Sequence, residues 1–217
     1  MPAVRPFTPS TRHVQLLRAL IAAVAALMIT FSPDHSASVG LSVFSGWAVA
    51  TAIVLGLGTW IATPAGRRTV PGLLALVYLL AGMAASIAPL RGPLLFFVVI
   101  PVWAVVAGAL ETGMGVSERR LGDRDRARDT LTLGVLTLVA AAAVLLVPAD
   151  YALDYFIEDA GQTFTLTGEI IAVGLFGGYA AIVAVFLAIA GLSPETPQQT
   201  AAAPISEAEP RIPEERP

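Results

Sequence analysis

Six stretches of nearly unbroken apolar residues run along the chain, at 14–32, 41–62, 71–90, 93–114, 131–149 and 168–191. Each is close to the roughly 20 helical residues needed to cross a hydrocarbon layer about 30 Å thick. Short polar connections separate them, such as Ser32-Pro33-Asp34-His35 and Thr63-Pro64-Ala65-Gly66-Arg67-Arg68, where Pro, Gly and charge end the apolar runs. The pattern predicts an all-α integral membrane fold of six transmembrane helices. Residues 1–13 form a cytoplasmic N-terminal segment, 14–191 the transmembrane domain and 192–217 a tail. The tail sets Pro194, Pro197, Pro204, Pro210, Pro213 and Pro217 among Ala, Glu and Gln; it cannot bury a core and is expected to be disordered in the cytoplasm.

Charge adds an orientation. Arg5, Arg12 and Arg18 mark the N-terminus, Arg67 and Arg68 follow the second span, and Arg119, Arg120, Arg124, Arg126 and Arg128 follow the fourth. Arg91 alone lies in the other set of connections, and the segment 150–167 carries four acids and no base. Because cytoplasmic connections carry the basic excess, both termini are expected inside, in the cell (cytoplasmic) membrane. An alternative reading takes the first span as a signal peptide cut near Ser36-Ala37-Ser38.

An internal repeat argues against that removal. A shift of 56 residues aligns Arg12 with Arg68, Pro33 with Pro89 and Trp47-Ala48-Val49 with Trp103-Ala104-Val105, without a gap. A weaker third copy starts at Arg128, ends its first helix at Pro148, and sets Tyr179-Ala180-Ala181 in place of the Trp triplet. The unit is Arg at the inner edge, a helix, Pro at the outer exit and a returning helix, giving three repeated hairpins. Arg at such an edge can snorkel to phosphates, and Pro ends the helical hydrogen-bond ladder.

The segment Ser117-Glu118-Arg119-Arg120-Leu121-Gly122-Asp123-Arg124, Leu133-Gly134-Val135-Leu136 at the start of the next span, and Pro148 at its end resemble the HdeD-like family of small six-helix bacterial membrane proteins. The resemblance covers residues 12–191 by pattern more than identity. It implies six helices in repeated hairpins and a link to acid-stress resistance; the long outer loop and Pro-rich tail depart from the family pattern.

Composition narrows the chemistry. Of 217 residues 56% are apolar and 13% charged, too much hydrocarbon for a soluble chain of this size to hide, and the net charge of −3 offers no basic patch for nucleic acid. Cysteine is absent, which excludes disulfides, Cys-ligated metals and thiol nucleophiles. All 13 basic residues are Arg, which excludes Schiff-base lysines and the P-loop lysine. Gly56, Gly58, Gly113 and Gly115 make no phosphate loop, since no strand precedes them and no Lys follows. No cofactor is expected.

Ionisable groups within spans come next, since they are costly in lipid and often functional. Arg18 and Glu111 each lie about one turn, some 6 Å, from the inner end of their spans, so they form a candidate intramembrane ion pair. The plainer alternative has both reaching headgroup water separately. Glu169 opens the last span, where a carboxylate suits a helix N-terminus. No charge is expected near the bilayer midplane, where coupled transporters place one, and Pro101 is expected to kink the fourth span. In the outer segment, Asp150, Asp154 and Glu158 share a face if the segment is helical, beside Tyr151, Tyr155 and Phe156 at the membrane surface. Weak cation binding or a pH response competes there with a solvated acidic face. Asp34 and His35 invite a metal reading, but His13 lies on the opposite side. Gly174 with Gly178, and small residues along the third and fourth spans, are expected to let helices pack closely, and such faces could serve a homo-oligomer.

The leading expectation is a non-enzymatic membrane protein acting in envelope integrity or stress response, with lipid as its first partner and protein partners unknown. A small transporter or channel is the alternative, and would need a watery cavity reaching Arg18 or Glu111. A membrane-embedded enzyme is the second, and would need converging nucleophile, base or metal ligands.

Overall fold

The computed structural model describes residues 11–193; residues 1–10 of the expected N-terminal segment, and the Pro-rich tail from residue 194, lie outside the described part. Six helices follow in chain order: α1 (Thr11–Thr30), α2 (Ala37–Ala62), α3 (Thr69–Ser86), α4 (Pro93–Arg120), α5 (Arg124–Leu145) and α6 (Gly168–Leu192). All six are long and apolar enough to cross a membrane. Side chains cap several of their starts: Ser36 accepts from Val39 N, Asp123 from Arg126 N and Thr167 from Ile170 N. α4 continues through Pro101, buried within it.

The fold departs from an all-α chain at one place. Between α5 and α6, β1 (Ala152–Ile157) and β2 (Gln162–Thr167) form an antiparallel hairpin, with Asp154 opposite Thr165 and Tyr155 opposite Phe164. The helical reading of Asp150, Asp154 and Glu158 therefore fails: Asp150 precedes β1, Asp154 lies within it, and Glu158 begins the turn. The local cause is a period of two. Thr163, Thr165 and Thr167 alternate with Phe164 and Leu166, and β-branched and aromatic residues suit a pleated strand. Gly161 closes the turn in the left-handed region, φ 59°.

Neighbouring helices run antiparallel, and α6 packs back on α1 to close a ring. Glycines mark the closest approaches. A Cβ at Gly82 of α3 would meet Val49 of α2; one at Gly134 of α5 would meet the Thr112 backbone of α4; one at Gly177 of α6 would meet Ile29 of α1. The pairs α2/α3, α4/α5 and α6/α1 are thus drawn together by small residues, as in lipid, where apolar surface alone gives no drive between helices. Gly174 and Gly178, expected to mediate such packing, instead lie exposed with nothing within 4 Å of an added Cβ. The helix phase of α6 turns Gly177 inward and Gly174 and Gly178 outward.

α2, α4 and α6 bury 56, 39 and 50% of their spans, against 28, 22 and 28% for α1, α3 and α5, so the even-numbered helices form the inner layer. Phe44 and Trp47 from α2, Trp103 from α4 and Phe176 and Tyr179 from α6 meet there, with Tyr78 of α3 beside them. The outer faces are equally apolar: Leu20 and Leu27 of α1, Val102 of α4 and Val185 and Ile189 of α6 are exposed. A surface apolar around the whole bundle is far larger than the patches a water-soluble protein tolerates.

Candidate functional site

One end of the bundle carries the β-hairpin; the other carries the N-terminus of α1, the C-terminus of α6 and most of the arginines, and is called here the Arg-rich end. Arg18 and Glu111 both point into the bundle above that end. Arg18 Nη2 lies 3.2 Å from Glu111 Oε1, with the two side chains 11% and 1% exposed, so neither reaches outward as the separate-snorkelling alternative requires. The second carboxylate oxygen accepts from Thr137 Oγ1 at 3.1 Å, and that hydroxyl is also 2.9 Å from Tyr179 Oη. Four helices, α1, α4, α5 and α6, therefore meet in one polar network. Tyr78 of α3 lies near enough to interact electrostatically with Arg18, Glu111 and Tyr179.

The network lies well inside the helices rather than at their ends. α4 extends nine residues past Glu111, to Arg120, which places the carboxylate about 14 Å from the helix end at 1.5 Å per residue. Thr137 and Tyr179 are each thirteen residues, about 20 Å, from the same end of their helices. Above the network, Trp47 and Trp103 meet edge to face with ring centroids 5.1 Å apart. Tyr179 packs on both, at 6.2 and 5.9 Å. The interior is thus filled by rings toward the hairpin end and by a closed ion pair toward the other. Trp103 Nε1, Thr51 Oγ1 and Arg18 Nε are buried without a hydrogen-bond partner among the described residues.

The other residues singled out by sequence fall into distinct roles. Trp47 and Trp103 are each the eleventh residue of their helix, and Pro33, Pro89 and Pro148 each stand three residues past the last residue of α1, α3 and α5. Arg12 donates to the Gly191 and Leu192 carbonyls that end α6; Arg68 donates to Trp60 O and Thr63 O, which end α2, while lying 5.2 Å over the Trp60 ring. Arg91 does the same for α3, through Ala85 O and Ser86 O. These guanidiniums satisfy carbonyls that a helix end leaves unpaired. Arg128, the third residue of the Arg12 and Arg68 register, makes no such contact among the described residues.

Glu169 caps a different helix from its own, its carboxylate accepting from Ala37 N at the start of α2. Asp34 accepts from Ser36 N and Oγ at 2.9 and 3.0 Å, and with His35 and Glu169 it lines a shallow groove at the hairpin end. Among the described residues no group of three His, Asp or Glu is placed to hold a metal ion. Asp154 accepts from Thr165 Oγ1 across the hairpin, and the Tyr155 and Phe164 rings stack at 6.1 Å.

The class these features define is a helical protein with six candidate membrane spans, as expected of a multi-pass membrane protein. Comparison with protein-family models, curated proteins and solved structures finds no match for the chain.

Proposed function

We propose that the chain is a non-enzymatic multi-pass protein of the cell membrane, with both termini in the cytoplasm. It acts as a rigid six-helix body in envelope integrity or the response to acid stress, in the manner of the HdeD-like family. The single observation that carries this reading is the interior: packed rings over a polar network whose charges answer each other. A buried pair that is both matched and hydrogen-bonded holds helices in one arrangement.

The body is built from three copies of one helix hairpin. The common position of Trp47 and Trp103, the common offset of Pro33, Pro89 and Pro148, and the matching jobs of Arg12 and Arg68 support the 56-residue register. Tyr179 fits as the third central ring.

A specific observation favours a second reading. Glu111, Thr137 and Tyr179 form a hydrogen-bonded chain across three helices, and such chains also serve proton movement in transporters. A deletion strain complemented with the wild-type chain or with Glu111→Gln separates the two. Under the structural reading the deletion is sensitised to acid, detergent and osmotic stress, and Glu111→Gln rescues in proportion to the folded protein it accumulates. Full accumulation without rescue favours the proton-handling alternative, and an unsensitised deletion strain contradicts a role in the envelope.

A further inference from the structure

Several arginines are held by the fold. Arg12, Arg68 and Arg91 hold helix-terminal carbonyls, and Arg126 pairs with Glu118 at 2.9 Å. No hydrogen bond or ion pair joins the guanidiniums of Arg119, Arg124 and Arg128 to a described residue, although Asp129 is near enough to feel the Arg128 charge. All three are exposed and line one groove of about 520 Å³ between the end of α4 and the start of α5. The nearby acids do not line it. Glu118 is held by Arg126 and Asp123 caps α5, while Asp125 and Asp129 lie outside the lining.

The groove is graded along the helix axis. Its mouth is the three guanidiniums; Ala127 lies between Arg124 and Arg128, and Leu131 and Thr132 lie about one turn past Arg128 into the span, with Leu131 seated on Gly115 of α4. Guanidinium suits phosphate because it presents two parallel donors and stays charged. A free phosphate ion would use the mouth alone. A phospholipid uses both parts, its headgroup at the arginines and its glycerol and first acyl carbons along the apolar floor, and basic recesses between helix ends are where anionic lipids bind.

We propose that this groove is a binding site for an anionic phospholipid, with Arg119, Arg124 and Arg128 on the headgroup phosphate and Ala127 and Leu131 against the lipid body. The proposal needs the helices to span a membrane; it does not need the stress-response reading.

The test is native mass spectrometry of the full chain in detergent, titrated with phosphatidylglycerol or phosphatidylcholine. Glycerol 3-phosphate is added as competitor in a separate arm. The wild type is expected to retain phosphatidylglycerol in preference to phosphatidylcholine, and glycerol 3-phosphate at equal concentration is expected not to displace it. R119Q/R124Q/R128Q should weaken phosphatidylglycerol binding by roughly a hundredfold, the effect of three surface arginines. R67Q/R120Q, which removes two arginines that do not line the groove, should leave most of the binding in place. The same spectra report whether each variant remains folded and monodisperse, and the single substitution R128Q serves if the triple variant does not. Equal losses in the triple and control variants would overturn the site, as would no lipid preference in the wild type. Displacement by glycerol 3-phosphate would make a soluble phosphate the ligand and overturn the lipid assignment.

Discussion

A carboxylate with 1% of its side chain exposed is tolerable only because three groups answer it: the Arg18 guanidinium, the Thr137 hydroxyl and, through that hydroxyl, Tyr179. Desolvation of a lone ion costs more than any one of these contacts returns, so removing one partner strands the other. Arg18→Leu and Glu111→Leu are each expected to lower the unfolding free energy by about 3 kcal/mol, and the double substitution by clearly less than the sum. Unfolding followed by tryptophan fluorescence in nanodiscs measures this, and strictly additive losses would show that the pair is not coupled. The two charges were legible in the sequence because they stand out in apolar runs. Thr137 and Tyr179 were not, since a Thr and a Tyr in a span look the same whether they face lipid, a neighbouring helix or a carboxylate.

At the scale of elements, the apolar runs located all six helices but not their ends. α4 reaches Arg120 where its run stops at 114, and α5 begins at Arg124 where its run starts at 131. Hydropathy reports the length that suits lipid, whereas backbone hydrogen bonding continues into polar turns that water also solvates. The hairpin follows the alternation of Thr163, Thr165 and Thr167 with Phe164 and Leu166, a period of two that the four-residue spacing of Asp150, Asp154 and Glu158 masks. Glycine roles were likewise beyond a sequence reading, because one helix phase decides whether a glycine meets a neighbour or the exterior. Gly134→Ala places a Cβ 2.6 Å from Thr112 N and 3.0 Å from Gly108 O, so it must part α4 from α5 at a cost of about 1–3 kcal/mol. Gly178→Ala meets nothing and is expected to stabilise α6 by about 0.5–1 kcal/mol. Thermal unfolding of the two variants decides the matter; a loss at Gly178 equal to that at Gly134 would mean that another chain packs on that face.

For the whole molecule, the ring is closed by its first and last helices, with Arg12 of α1 holding the final carbonyls of α6 as Arg68 holds those of α2. Every connection on the Arg-rich end then joins or clamps a closely packed helix pair, while the opposite end carries the hairpin. The central claim is that this bundle crosses a bilayer with the Arg-rich end in the cytoplasm, and the absence of native cysteine makes it directly measurable. Gly66 and Gln162 are exposed at opposite ends, and a side chain at Gly66 meets nothing within 4 Å. Single cysteines at these two positions, treated with a membrane-impermeant maleimide in right-side-out membrane vesicles, are predicted to react at position 162 and to be shielded at position 66 until detergent is added. Labelling of both positions in sealed vesicles, or of position 66 alone, would contradict the account.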